Sequence, residues 1–302
     1  MLTYDPSPHS VLTMPAANES PGYTLCAQCP DSPGIIAAVS TCVASLGGSI
    51  REASQHLDAH SGWFFMRYDI DADSLSLSFD DLSAAFEPVA SRFNMHWSLR
   101  DARQPKRVMI LASREDHCLA DLLYRWRSSD LPCDIVAVAA NHDRLSPLVG
   151  SYDLPFHHIP IDKAGKAAGF EQMQQLFQDY QADVMVLARF MQVLPGELCR
   201  SLSGRIINIH HSFLPSFAGA RPYHQAAAHG VKIIGATCHY VTEDLDAGPI
   251  IEQDVIRVHH GDTAARMARR GRDVEKLVLS RGLRYHLEDR VLIHGNRTVV
   301  FS

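Results

Sequence analysis

The chain has no run approaching the roughly 18 apolar residues that cross a bilayer, and no basic start leading into an apolar stretch, so neither a membrane partner nor a secretory leader is expected. Positive charge is not in excess either. Lys and Arg number 28 against 34 Asp and Glu, a formal charge of -6, which leaves no overall basic footprint for nucleic acid. The 7 cysteines are odd in number and irregular in spacing, so a disulfide framework is excluded and a reducing cytoplasm is the expected location. Cys26 and Cys29 form a C-x-x-C, but Pro30 follows and no second pair supplies the remaining ligands of a structural zinc. A His-x-x-x-His with a third ligand at familiar spacing is missing, so no metal is expected in the site. Repeats of fixed period are absent, which removes solenoids and propellers.

What is present is an ordinary globular composition, 46% hydrophobic and 21% charged over 302 residues, too long for one small domain. Residues 1–21, rich in Pro, Ser and Asn, read as an N-terminal arm. Over 22–100 the pattern predicts a strand to about Gln28, a helix from about Ser32 to Leu46 and strands at Ser49–Leu57 and Gly62–Ile70. A helix over Ser74–Phe93 and a strand Met95–Leu99 complete a βαββαβ unit of ferredoxin-like type. Residues 101–106 lack apolar periodicity and are the linker. From 107 to 302 strands and helices alternate. The strands are Arg107–Ala112, Asp134–Ala140, Pro155–His158, Val184–Ala188, Arg205–Ile209, Ile233–Val241 and Pro249–Val258. Helices are expected from about Cys118, near Phe170–Tyr180, around Tyr223–His229 and over Thr263–Leu287, with two short strands last. The fold class is α/β, a doubly wound and mostly parallel sheet following the ferredoxin-like unit.

Chemistry concentrates after the strand Arg205–Ile209. Asn208 and His210 are two apart on extended chain, so they face one way at the carboxyl end of a strand, where ligand crevices form in doubly wound sheets. A turn-starting asparagine and a satisfied, half-buried histidine would fit the same residues. The second candidate is the run His239 to Pro249, in which Glu243, Asp244 and Asp246 precede Gly248-Pro249; alone it would be a solvated loop. Taken together, an amide, an imidazole and a carboxylate are the set needed to hydrolyse a formamide. The amide donates to the developing oxyanion, the imidazole polarises the carbonyl, and the carboxylate takes a proton from water.

Ile207-Asn208-Ile209-His210-His211-Ser212-Phe213-Leu214-Pro215, with Leu245-Asp246-Ala247-Gly248-Pro249-Ile250-Ile251, resembles the formyltransferase family that uses 10-formyltetrahydrofolate. The resemblance runs from about Arg107 to Phe301. It implies that Asn208, His210 and Asp246 are catalytic. It also implies that the pterin lies against Met191, Gln192, Val193 and Leu194 and the loop Val241–Asp246, with His239, Val241, Thr242 and Glu243 as substrate-binding residues. For Met191 to Leu194, plain core packing is the alternative. Family members that formylate a phosphorylated ribonucleotide carry a Gly-rich first β-α loop. Here that loop reads Ala112-Ser113-Arg114-Glu115-Asp116-His117, without glycine and with two acids. The basic C-terminal domain of members acting on charged tRNA is likewise not seen, so water is the expected acceptor.

Cys29-Pro30-Asp31-Ser32-Pro33-Gly34 is similar to the ligand loop of ACT regulatory domains, which implies an amino-acid effector at Asp31 and Gly34. Capping of a helix by Asp or Ser with proline in its first turn is an equal alternative. An ACT-like unit before a formyltransferase-like one is similar, over nearly the whole chain, to the hydrolytic branch of the family. So are Gly219-Ala220-Arg221-Pro222-Tyr223-His224 and Gly271-Arg272-Asp273-Val274-Glu275-Lys276. The implied reaction is 10-formyltetrahydrofolate plus water to formate and tetrahydrofolate, with formate feeding purine synthesis and no cofactor beyond the folate substrate. The implied assembly is an even-numbered homo-oligomer, a tetramer first. A formyltransferase with a small amine acceptor and an amino-acid sensor without turnover are the two alternatives.

Overall fold

The computed structural model describes residues 22–161, 165–216 and 222–302. The arm expected over 1–21 lies outside them, as do Gly219, Ala220 and Arg221.

The first unit is β1 (Gly22–Pro30), α1 (Ile35–Ser45), β2 (Ser49–Asp58), β3 (Trp63–Asp71), α2 (Phe79–Arg92) and β4 (His96–Asp101). Its strands lie in the order β2-β3-β1-β4, all antiparallel, a ferredoxin-like sheet. Alternate residues of β1 and β3, among them Leu25, Ala27, Met66 and Tyr68, meet Val39 and Val43 of α1 and Leu82 and Phe86 of α2 on one face. Both helices begin later than the sequence predicts. Pro33 and Gly34 delay α1 from Ser32 to Ile35, because Gly34 is itself the N-cap, in a left-handed conformation (φ 93°) suited to glycine. Neither Asp31 nor Ser32 caps it. For α2 the start moves from Ser74 to Phe79, because Ser78 and Asp81 form a reciprocal capping box that Ser74 has no partner to make.

Residues 102–105 lead into β5 (Lys106–Ala112), α3 (His117–Arg127), β6 (Cys133–Ala140), α4 (Ser146–Gly150), β7 (Phe156–His158), α5 (Lys166–Asp179), β8 (Val184–Ala188), α6 (Gly196–Ser201) and β9 (Ile206–His210). Then follow α7 (Pro222–His229), β10 (Ile233–Tyr240), β11 (Ile250–Arg257), α8 (Ala264–Leu287), β12 (Val291–His294) and β13 (Arg297–Val300). The seven-stranded sheet runs β11-β10-β9-β8-β5-β6-β7, parallel from β9 to β7, with β10 and β11 antiparallel at one edge. Val108, Ile110 and Ala112 of β5 face α3 and α8, while Met109 and Leu111 face α5, so the central strand is buried on both sides. The chain leaves β5 toward β6 and returns to β8 on its other side. That reversal puts the crevice of the sheet at the carboxyl ends of β5, β8 and β9.

The hairpin β12–β13 does not join this sheet. Leu292, Val299 and Phe301 pack on Cys26, Phe65 and Trp63, the outer face of the ferredoxin-like sheet. Just before it, Asp289 receives Arg100 at 3.0 Å and Lys106 at 2.6 Å. Cys26 therefore belongs to the outer face of β1 and Cys29 to its inner core, so the C-x-x-C cannot close on one ion.

Candidate active site

Asn208 and His210 end β9 on its crevice side, and the loop that follows is fixed from β10. The buried Thr237 hydroxyl donates to the Ser212 carbonyl (2.9 Å) and accepts from the Leu214 amide (3.0 Å) and the Gln253 side chain (2.9 Å). Antiparallel register sets His239 of β10 opposite Asn208. His239 Nδ1 lies 2.9 Å from the Tyr240 carbonyl, an atom that can only accept, so Nδ1 carries the proton. Nε2 then accepts from Asn208 Nδ2 at 3.1 Å, which fixes the asparagine amide and leaves its second N–H for another partner. Burial pushes the His239 imidazole below its ordinary value, in keeping with this neutral form.

Asp246 arrives from the loop after β10, its backbone left-handed (φ 56°), a conformation that Asp and Asn tolerate better than most residues. Its Oδ1 is 3.1 Å from His210 Nδ1, with both side chains more than nine-tenths buried. The carboxylate accepts a hydrogen bond from Nδ1–H. His210 Nε2 is left buried with no hydrogen-bond partner among the described residues. Two residues on, Gly248 runs so close to β10 that a Cβ would stand 1.9 Å from the Tyr240 carbonyl oxygen, which is backbone and has nowhere to go. Gly248→Ala is expected to cost about 1–3 kcal/mol or more as overpacking. By displacing Asp246 it should also slow turnover on the order of 100-fold. Melting and initial-rate measurements on the same preparation check both effects, and a variant with wild-type turnover would free Asp246 from this turn.

These groups open into a cavity of about 230 Å³. All eight residues expected to bind substrate line it: Met191, Gln192, Val193, Leu194, His239, Val241, Thr242 and Glu243. Met191 and Val193 are 56% and 53% exposed, so core packing does not explain them; Leu194 is buried. With exposed Leu245 they make an apolar rim over a polar floor, as small-molecule sites do. Glu243 pairs with Arg200 of α6. Arg189, Phe190 and His211 also line the cavity, none of them among the residues expected to bind substrate. Asp31 and Gly34 are not in it; both are exposed at the start of α1.

The first β-α loop is tied to the ends of β6 and β8 and to α8. Ser113 donates to Asn141 at 2.6 Å and accepts the Met191 amide at 3.2 Å, while Glu115 pairs with Arg272. A larger cleft, about 1030 Å³, lies between the ferredoxin-like sheet and the α3–β6 turn. Its charged lining is largely spent on internal pairs such as Arg51 with Asp69 and Arg100 with Asp289. His117, Cys118 and Glu275 could bring ligand atoms within 4.8 Å of one another, the one such trio among the described residues. Both Glu275 oxygens are already engaged, by Tyr223 at one and by His117 and Arg189 at the other. No helix among the described residues is long and apolar enough to cross a membrane.

A switch-point crevice holding an amide, an imidazole and a paired carboxylate defines a formyltransferase-fold enzyme, and residues 106–283 match the formyl transferase family. A glycinamide ribonucleotide transformylase from Symbiobacterium toebii superposes with a TM-score of 0.62 at 29% identity, covering 66% of this chain and 95% of that one. The likeness to formyltetrahydrofolate deformylases extends over both units. The structure of one from Pseudomonas syringae pv. tomato is similar with a TM-score of 0.93 at 56% identity, over 95% of this chain and 96% of that one. A second, from Bacillus subtilis, is 45% identical over 286 residues, 94% of this chain and 95% of its own length. The chain belongs to the formyltetrahydrofolate deformylase family.

Proposed function

We propose that this protein hydrolyses 10-formyltetrahydrofolate, transferring the formyl group to water and releasing formate and tetrahydrofolate. The observation that carries the reading is the meeting of Asn208, His210 and Asp246 in one apolar-rimmed cavity of a deformylase-family chain. The exposed Met191 and Val193 and the loop 241–246 suit the faces of a flat bicyclic ring. Water adds to the formyl carbon. The second Asn208 N–H and a proton on His210 Nε2 meet the oxygen as it becomes an anion. Asp246 takes the proton that the attacking water loses. Collapse breaks the C–N10 bond, N10 gains a proton, and formate leaves. The proposal uses no cofactor beyond the folate.

Supply of formate for purine synthesis in the cytoplasm, an amino-acid effector at Asp31 and Gly34, and an even-numbered assembly belong to the same proposal. The effector and the assembly rest on the ACT-like order of elements and on the exposed start of α1 at a left-handed Gly34, which no side chain caps; the metabolic role rests on the resemblance alone. Incubation of the full chain with 10-formyltetrahydrofolate and no amine is expected to yield formate and tetrahydrofolate in equal amounts. Release only after an amine is added would make the protein a transferase, and tight binding with no release in either case would make it a sensor.

A further inference from the structure

Beside the cavity, a second polar cluster is built around a carboxylate that the steps above do not use. Glu275 of α8 is 1% exposed. The Tyr223 hydroxyl donates to its Oε1 at 2.7 Å, His117 Nε2 donates to Oε2 at 2.8 Å, and Arg189 Nε lies 3.3 Å from Oε2. Burial alone would raise this carboxyl, but the His117 hydrogen bond, the Arg189 charge and the Tyr223 hydroxyl together hold it at about 2. Four separate elements thus converge on one anion: α3, the end of β8, α7 and α8.

The cluster has a built-in space for Tyr223. A Cβ on Gly271, one turn before Glu275, would stand 1.9 Å from the Tyr223 hydroxyl oxygen. Glycine there lets the ring lie against α8. Arg189 holds a left-handed backbone (φ 60°) just past β8 and lines the catalytic cavity. Its Nε and Nη1 are both buried with no hydrogen-bond partner among the described residues, so Arg189 meets Glu275 as an ion pair only. His211 stands between the reacting group and the cluster, its ring centroid 5.2 Å from that of His210 and 6.0 Å from that of Tyr223. Burial and the Arg189 charge push its imidazole down to about 3, so it is neutral.

The rim at Met191, Val193 and Leu245 is apolar, and Arg189 and His211 give the cavity a polar side. We propose that the Glu275 cluster is the wall on that side, admitting water to the formyl carbon and excluding amines, and so sets hydrolysis as the outcome. The inference rests on the reaction proposed above. The wall is tied in place, because Tyr223, His117 and Arg189 each face the same carboxylate and moving one leaves a buried charge under-paired. It is also selective by sign. Water can accept a guanidinium N–H with one lone pair while the other attacks; an amine has a single lone pair, which attack uses up, so only its N–H groups are left to meet the guanidinium donor to donor, and an ammonium is repelled outright. With water, the carbon gains oxygen and loses N10, giving formate; with an amine it would gain nitrogen and lose N10, giving a formamide and tetrahydrofolate.

The test is partition between the two products. Full-length protein is given 10-formyltetrahydrofolate with glycinamide, and formylated amine is measured against formate. Wild type and Arg189→Lys are expected to give formate almost alone. Arg189→Met and Tyr223→Ala should raise the ratio of formylated amine to formate about tenfold or more, the discrimination that a change of one pocket group supplies. If Tyr223→Ala does not fold, Arg189→Met decides alone. A wild-type ratio in the folded variants, or loss of both products in every one of them, would overturn the wall, because a selective wall shifts partition rather than total turnover. Failure of wild type to release formate without an amine would instead overturn the hydrolytic reading itself.

Discussion

Asp246→Asn is expected to lower formate release by about 10²–10⁴-fold, the contribution of a positioned acid-base group. Asparagine is nearly the same size and its amide oxygen can still accept the His210 Nδ1 proton, so the contact at 3.1 Å is retained in kind. What disappears is the negative charge and the capacity to take a proton from water. Tetrahydrofolate and formate should fall together, with folate binding and the melting temperature little changed. A variant retaining most of its turnover would show that Asp246 only orients His210, and would move the proton acceptor elsewhere in the cavity.

Asn208→Ala is the second large effect, a loss of about 10²–10³-fold for removing one oxyanion donor. Unlike the first, it should carry a stability cost. His239 is 2% exposed and its Nε2 accepts from the Asn208 amide, so alanine orphans a buried acceptor. Such a loss amounts to about 1–3 kcal/mol. The two effects separate in a melting curve and a rate assay on the same sample. Near-full activity of a folded Asn208→Ala protein would remove Asn208 from the oxyanion site.

Asn208 and His210 were legible because a short apolar strand ran straight into a polar, proline-ended loop, and strand geometry alone aligns residues two apart. Asp246 was one of three carboxylates with Glu243 and Asp244 in an acidic turn, and only the resemblance to the formyltransferase family singled it out. The part played by His239 was not legible. It depends on the antiparallel register of β10 against β9, in a sheet otherwise expected to be parallel, and no local pattern reveals which residue lies across from Asn208. The meeting of Glu275 with its partners escaped for a related reason, since His117, Arg189, Tyr223 and Glu275 come from four distant stretches and no spacing in the sequence joins them. Gly271 and Glu275 did stand out as part of a family-like run, without any sign that the glycine makes room for a tyrosine. Among the elements, α4 and α6 are 5 and 6 residues long, too short to show a 3.6-residue period. The start of α2 turned on Asp81, which only a reciprocal contact with Ser78 distinguishes from its acidic neighbours.

The hairpin β12–β13 bears on the order in which the molecule can be assembled. Gln28 gives its side-chain hydrogen bond to Ile293, 265 residues later, and Cys26 meets the Asp289 carbonyl 263 residues on. On a ribosome, the ferredoxin-like unit therefore emerges with one face of its sheet bare, Phe65 and Trp63 included, and keeps it bare while nearly all the rest of the chain is made. Contacts of such long sequence separation close slowly, so this unit is made well before the segment that completes it.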